Sequence, residues 1–168
     1  MTGMPLAIVT PDGPTGMISL RAAHDLGGLA DALGLAVPGQ RRIVRGAEHA
    51  AAWMSPDEIL LILPPEGVPA RLAQIASALA GQHHLAVDLS DARAVFRIEG
   101  PQAADVIAKL CPIDLGALDP DEMRRTRAAQ VAVALWREGQ GFRLMCFRSV
   151  AVYVSDLLTN AATPGSGL

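Results

Sequence analysis

An internal repeat of about eighty residues limits the folds open to this chain. Trp53 and Trp136 are 83 positions apart, and so are Ile59 and Phe142. An amphipathic helix is predicted after each pair, at 66–80 and 149–161, and the apolar positions of the two helices are offset by 82. This period exceeds the roughly 20–50 residues of solenoid repeats. The sequence therefore predicts two copies of one larger unit.

Each copy also begins with a strand followed by a helix. Residues 94–99 alternate between one set, Ala94, Phe96 and Ile98, and another, Val95, Arg97 and Glu99, which is typical of a half-buried strand. Gly100 and Pro101 begin the next helix, because proline is tolerated at the first helical position. Residues 17–21 and 23–33 are the matching strand and helix of the first copy. We expect an α+β fold of two pseudo-repeated β-α-β-β-α halves, with mainly antiparallel sheets and packed helices.

Glycine and proline set the expected boundaries. Residues 1–16 contain three of each, which opposes a long regular element, so a flexible arm is predicted there. A short strand at 6–9, or docking of this segment on a neighbouring chain, is the alternative. The other expected parts are a single domain at 17–162, its two pseudo-repeats at 17–83 and 84–162, and a frayed tail at 163–168.

Composition restricts the class of partner. A net charge of −3 and a pI near 5.7 argue against a non-specific nucleic-acid binder, which needs a clustered positive face. Arginines at 41–45 and 124–127 are interpreted as solvated faces, with an acidic partner or anionic cofactor as the alternative. A mean hydropathy of +0.30 indicates apolar surface that another chain covers. We therefore expect the isolated chain to self-associate or to bind a partner.

Neither a membrane protein nor a disulfide-stabilised one is indicated. Met1 is followed by no positively charged segment and no long apolar run, so no signal peptide and no membrane span are expected. Cys111 and Cys146 lack the CxxC spacing of redox or metal sites. Both are interpreted as reduced core thiols of a cytoplasmic protein.

No self-sufficient active site is predicted. His24, His49, His83 and His84 are scattered, and adjacent residues on a strand point to opposite faces, so no metal ligands are assigned. The nucleophile pattern GxSxG and the phosphate-binding patterns GxGxxG and GxxxxGK[ST] are absent from the sequence. Catalytic residues are therefore expected to be none, and cofactor-binding residues stay unassigned.

The carboxylates do not clearly indicate a functional site either. Asp88 and Asp91 flank a tight turn, which is interpreted as an Asx-type turn; a ligand-facing strand end is the alternative. Asp119, Asp121 and Glu122 are interpreted as a solvated charged loop.

Several segments resemble the gamma subunit of heterotetrameric sarcosine oxidase, and together they span about residues 17–162. The most distinctive is the string Cys-Pro-Ile-Asp-Leu at 111–115. The others are the hairpin at 53–58, the stretch at 87–115, and the segments at 124–144 and 148–158.

The resemblance implies an accessory, non-catalytic subunit. The complex would oxidise sarcosine to glycine and pass the one-carbon unit to tetrahydrofolate. Its alpha, beta and delta subunits would be the partners, would carry FAD, FMN, NAD and a folate site, and would include a small zinc-binding subunit. A stand-alone folate-binding or one-carbon-related protein is the alternative.

The stretch at 87–115 is also similar to the folate-binding domain of glycine-cleavage aminomethyltransferases. The shared features are Asp-Leu-Ser at 88–90, Gly-Pro at 100–101 and Ala103. In that family a Gly-Glu-x-Gly-aromatic hairpin is followed by an acidic residue near the pterin. Here the hairpin residues 138–142 are followed by Arg143. The resemblance implies an aminomethyltransferase-like fold in which a cation replaces that acid.

Overall fold

The computed structural model describes residues 4–166, which form ten strands and four α-helices. The strands are β1 (Ile8–Pro11), β2 (Gly16–Arg21), β3 (Ile43–Arg45), β4 (Ala50–Ser55), β5 (Glu58–Leu63), β6 (Leu85–Asp88), β7 (Arg93–Glu99), β8 (Met123–Ala128), β9 (Val131–Glu138) and β10 (Gly141–Phe147). The helices are α1 (Leu29–Leu33), α2 (Val68–Ala78), α3 (Ala103–Ala108) and α4 (Ala151–Ala162). All strand pairs are antiparallel, so the α+β prediction is confirmed.

The chain divides into two compact units, residues 14–91 and residues 1–13 with 92–168. The first unit has the strand order β3-β4-β5-β2-β6, and the second has the order β8-β9-β10-β7-β1. Both follow the same path: strand, helix, three strands, helix. Each unit is therefore a copy of one fold, as the repeat predicts, with β3 or β8 as a further edge strand.

The main segments of the two units begin at residues 14 and 92, whereas the predicted repeats begin at 17 and 84. The difference arises because one edge strand of each sheet lies outside the predicted repeat to which it belongs. β6 was expected to begin the second repeat, but it pairs with β2 of the first unit, with Val87 opposite Ser19. β1 lies near the start of the chain and pairs with β7 of the second unit, with Thr10 opposite Arg97. β6 and β1 thus occupy equivalent edge positions in the two sheets. β6 is the last strand of its unit in sequence, whereas β1 is the first strand of its unit.

The predicted arm at 1–16 contributes a strand to the second unit and the start of another to the first. β1 pairs with β7, and the Asp12 N–H donates to the Val95 carbonyl at 2.8 Å. Ala7 is buried in the core of the second unit. Pro11 does not break the ladder, because its nitrogen occupies a position directed away from β7. The prediction of a flexible arm is thus corrected for 6–16, while residues 1–3 lie outside the described part.

The predicted frayed tail is held down as far as Ser166. The ammonium group of Lys109 donates to the carbonyls of Ala161 at 2.9 Å and Ser166 at 3.3 Å. The Ser166 hydroxyl donates to the Thr163 carbonyl at 2.8 Å. Lys109 thus satisfies carbonyls at the end of α4, where a cation is favourable. Residues 167–168 lie outside the described part.

The two tryptophans that define the repeat are not structural equivalents. Trp53 lies opposite Ile59, whose side chain is in the core of the first unit. Trp136 lies opposite Arg143, the neighbour of the core residue Phe142, and therefore points to the other face of its sheet. The ladder between β4 and β5 shifts register near its turn. A shift of one residue moves side chains to the opposite face, so the 83-residue spacing fails for the tryptophans. It holds along β5 and β10, whose core residues correspond at this spacing: Ile59 with Phe142, Leu61 with Leu144, and Leu63 with Cys146.

Each unit packs its two helices on one face of its own sheet. No helix among residues 4–166 is long and apolar enough to cross a bilayer. The core of the first unit includes Ile18, Leu20, Leu33, Ile59, Leu61, Ile75 and Leu79. The core of the second includes Phe96, Ile98, Val106, Ile107, Leu135, Leu144, Val154 and Leu158.

Candidate functional site

A network of four charged side chains lies on the sheet of the second unit. Asp12 accepts a hydrogen bond from Arg143 Nε at 2.8 Å and another from Arg97 at 3.2 Å. The Glu99 carboxylate lies 3.6 Å from both guanidinium groups. Arg97 and Arg143 are directly opposite each other on β7 and β10, where like charges repel. The two carboxylates offset that repulsion.

Arg143 is the buried member of this network. Its exposure is 8%, and a guanidinium group at such depth needs an anionic or hydrogen-bonding partner. Asp12, next to β1, supplies it across 131 positions of sequence. The network contains two cations and two anions and is therefore neutral. Its arginines bind the chain's own carboxylates, so the arrangement ties β1 to the sheet and presents no excess charge to a ligand.

The glycine hairpin at 138–142 has a structural explanation. Gly139 adopts a φ of 56°, which favours glycine, at the turn. A Cβ on Gly141 would lie 2.5 Å from the Ile98 carbonyl oxygen, closer than side chains approach backbone. Glu138 accepts a hydrogen bond from the Trp136 indole at 3.2 Å. The hairpin residues thus serve the packing of β9, β10 and β7.

The loop after β6 forms the predicted Asx-type turn. The Asp88 carboxylate accepts a hydrogen bond from the Ser90 N–H at 2.9 Å and another from the Ser90 hydroxyl. These two bonds lower the pKa of Asp88. Ser90 Oγ accepts a hydrogen bond from the Met17 N–H at 3.0 Å, which fixes the loop to β2. The turn interpretation of Asp88 is confirmed.

The histidines have separate surroundings, and no group of three or more His, Cys, Asp or Glu within residues 4–166 could hold a metal ion. His49 Nε2 lies 2.9 Å from the Leu33 carbonyl at the end of α1. His84 Nδ1 lies 2.9 Å from the Gln82 carbonyl. Because a carbonyl oxygen only accepts, Nδ1 carries the proton of His84.

His24 differs from the others because its Nε2 atom is buried and has no hydrogen-bond partner. Its ring meets Trp53 edge-on, with 6.5 Å between the ring centroids. An unsatisfied buried polar atom costs about 1–3 kcal/mol. We expect His24→Phe, which keeps an aromatic ring against Trp53, to raise the free energy of unfolding by about 1 kcal/mol in urea titrations. His83→Phe is the control at an exposed histidine, and a destabilised His24→Phe variant would show that the nitrogen serves the fold.

Both cysteines lie in the core of the second unit, as expected for structural thiols. Burial raises the pKa of Cys111 to about 11 and also raises the pKa of Cys146. Since the thiolate is the reactive form, both are protonated at neutral pH and poor nucleophiles.

We therefore expect a maleimide reagent to label neither thiol at pH 7.5 in the folded chain within minutes. Labelling in 8 M urea should reach both cysteines at once, since unfolding restores the ordinary pKa of about 8.5 and gives access. Mass spectrometry of the labelled chain counts the adducts. Rapid labelling of Cys111 in the folded chain would contradict its position in the core of the second unit.

One acidic residue departs from its predicted surroundings. Glu122 was expected in a solvated loop, but it is 5% exposed. Its carboxylate pairs with Arg124 at 2.6 Å, at the start of β8. The two residues are i and i+2 and lie on the same side of an extended chain, so this pairing was detectable from the sequence.

The sequence of the chain is similar to those of known proteins. A model of the "Sarcosine oxidase, gamma subunit family" matches residues 22–162. The sarcosine oxidase subunit gamma of Arthrobacter sp is 34% identical over 145 residues, which are 81% of this chain and 70% of that protein.

Two solved structures extend the comparison to the fold. A chain of the heterotetrameric sarcosine oxidase from Corynebacterium sp. U-96, solved in complex with pyrrole 2-carboxylate, is similar with a TM-score of 0.88 and 29% identity. The match covers 99% of this chain and 88% of that one. Glycine cleavage system aminomethyltransferase T from Bartonella henselae is similar in fold, with a TM-score of 0.71 and 17% identity over 92% of this chain and 45% of that one. The aminomethyltransferase-like fold is confirmed.

Proposed function

Because the chain belongs to the sarcosine oxidase gamma subunit family, we propose that it is an accessory, non-catalytic subunit of a heterotetrameric sarcosine oxidase. The observation that carries the proposal is the structural likeness to a chain of such a complex over 99% of this sequence. Alpha, beta and delta subunits are the proposed partners, and the cytoplasm is the proposed compartment.

The reaction proposed for the complex is the oxidative demethylation of sarcosine to glycine, with transfer of the one-carbon unit to tetrahydrofolate. FAD, FMN, NAD and tetrahydrofolate would bind the partner subunits. Within this chain, support comes from the network around Arg143. Both of its arginines are neutralised by Asp12 and Glu99, so the position that resembles a pterin contact holds an internal ion pair.

The proposal is tested by expressing the tagged chain with and without the flavin-bearing subunits from the same host. We expect the partners to co-purify with the tag. The chain alone is expected to show no flavin absorbance and no sarcosine-dependent oxygen consumption. Capture of no partner would contradict the accessory role. Saturable binding of tetrahydrofolate to the isolated chain in calorimetry would favour the stand-alone folate-binding alternative.

A further inference from the structure

Residues 4–166 form four sheet edges, and three of them carry features that oppose pairing with another strand. β1 contains Pro11, which lacks an N–H at an outward position. β3 has only three residues and ends in the exposed Arg45. β8 presents the exposed Arg125 and Arg127. Prolines, short strands and charged side chains are the usual means by which proteins prevent edge-to-edge association.

The fourth edge, β6, is also short, with four residues, and its one charged side chain is Asp88 at its end. It contains no proline, lysine or arginine, and no strand within residues 4–166 pairs with its outer side. Leu85 and Val87 point to the same face and are 58% and 40% exposed. An open edge with exposed aliphatic side chains is a template for another strand.

The ladder shows which backbone groups are available. The Leu89 N–H donates to the Met17 carbonyl at 2.8 Å, so residues 85, 87 and 89 direct their backbone groups toward β2. The N–H and carbonyl groups of Ala86 and Asp88 therefore point outward. These are the groups that a second antiparallel strand would need.

We propose that β6 is a self-association edge, where the β6 strand of a second copy of this chain pairs antiparallel around Ala86. This register places Ala86 opposite itself, so the outward groups of both copies meet as a hydrogen-bonded pair. It also places Leu85 of each copy opposite Val87 of the other. The result is a continuous ten-stranded sheet with a two-fold axis, in which four exposed aliphatic side chains become buried.

The same register is complementary in charge, which favours a second copy as the occupant. Asp88 of each copy lies opposite His84 of the other. His84 uses Nδ1 to donate to the Gln82 carbonyl, so its Nε2 edge is left to face a partner. Asp88 uses one carboxylate oxygen for the Ser90 turn, which leaves its second oxygen to face the basic imidazole of His84. Each end of the short ladder would thus gain an acid–imidazole contact.

The test is sedimentation velocity of the full isolated chain at increasing concentration. We expect the mass to rise from 17.6 kDa toward twice that value as the concentration approaches about 0.5 mM, since an interface this small binds weakly. Val87→Lys should keep the chain monomeric. Ala86→Pro should do the same without adding charge, because it removes only an outward N–H. Val152→Lys is the matched control on α4, where valine is 78% exposed, and should still dimerise.

Circular dichroism confirms that each variant folds before its mass is compared. A monomeric parent chain at all concentrations would overturn the proposal. So would a dimer that Val87→Lys and Ala86→Pro leave intact. Loss of the flavin-bearing subunits from Val87→Lys, with the parent chain monomeric, would assign the edge to a partner subunit instead. That result would leave the proposed function standing, so the two can fail separately.

Discussion

Removal of residues 1–12 is expected to lower the melting temperature of the isolated chain by about 10 °C. The deletion removes the β1 ladder and takes Ala7 out of the core of the second unit. It also leaves the buried Arg143 without Asp12, and breaking a buried ion pair costs about 3–5 kcal/mol. For a chain of this size, each kcal/mol shifts the melting temperature by about 2–4 °C.

A single substitution separates the two causes of this loss. Asp12→Ala keeps β1 but removes the carboxylate. It should lower the melting temperature by less than the truncation does, but by a measurable amount. Calorimetry of the parent, the truncated chain and Asp12→Ala gives the comparison. An unchanged melting temperature, together with loss of partner binding, would restore the role in assembly that the sequence suggested for this segment.

The sequence predicted best those features that depend on neighbouring residues. The Asx-type turn at Asp88 is formed with Ser90, two positions away. The alternation of residues 96–99 matches β7, in which Phe96 and Ile98 are buried while Arg97 and Glu99 are half-buried. Val95 is buried on the opposite face, where its apolar side chain departs from the alternation. The repeat survived because each unit must bury the same helix and sheet faces, even though the two copies pair their tryptophans differently.

Features that depend on distant pairing were not visible in the sequence. Pro11 opposes a strand in general, and only the partner β7 decides that its missing N–H falls on the outer side. Arg143 appeared as the replacement of an acid, while its partner Asp12 lies in a segment taken for a flexible arm. The assignment of β6 to the second repeat was wrong for the same reason. The residues of β6 do not themselves show that its partner is β2 and not β7.

Gly141→Ala is the substitution expected to have the largest effect for its size. The new Cβ would lie 2.5 Å from the Ile98 carbonyl oxygen and 2.8 Å from Glu99 Cγ. The backbone oxygen belongs to a paired strand and cannot rotate away, so β10 and β7 must separate. Overpacking of this kind costs about 1–3 kcal/mol, occasionally more, and we expect a loss of about 3 kcal/mol in the free energy of unfolding.

Two other glycines calibrate this result in urea titrations. Gly13→Ala should be nearly neutral, since a Cβ there meets nothing within 4 Å. Gly139→Ala also meets nothing, but its φ of 56° is left-handed, so a loss of about 1 kcal/mol is expected. If the hairpin glycines serve the packing of the sheet, the loss of free energy of unfolding should be largest for Gly141→Ala, smaller for Gly139→Ala and smallest for Gly13→Ala. A Gly141→Ala chain as stable as the parent would contradict the packing role of this glycine.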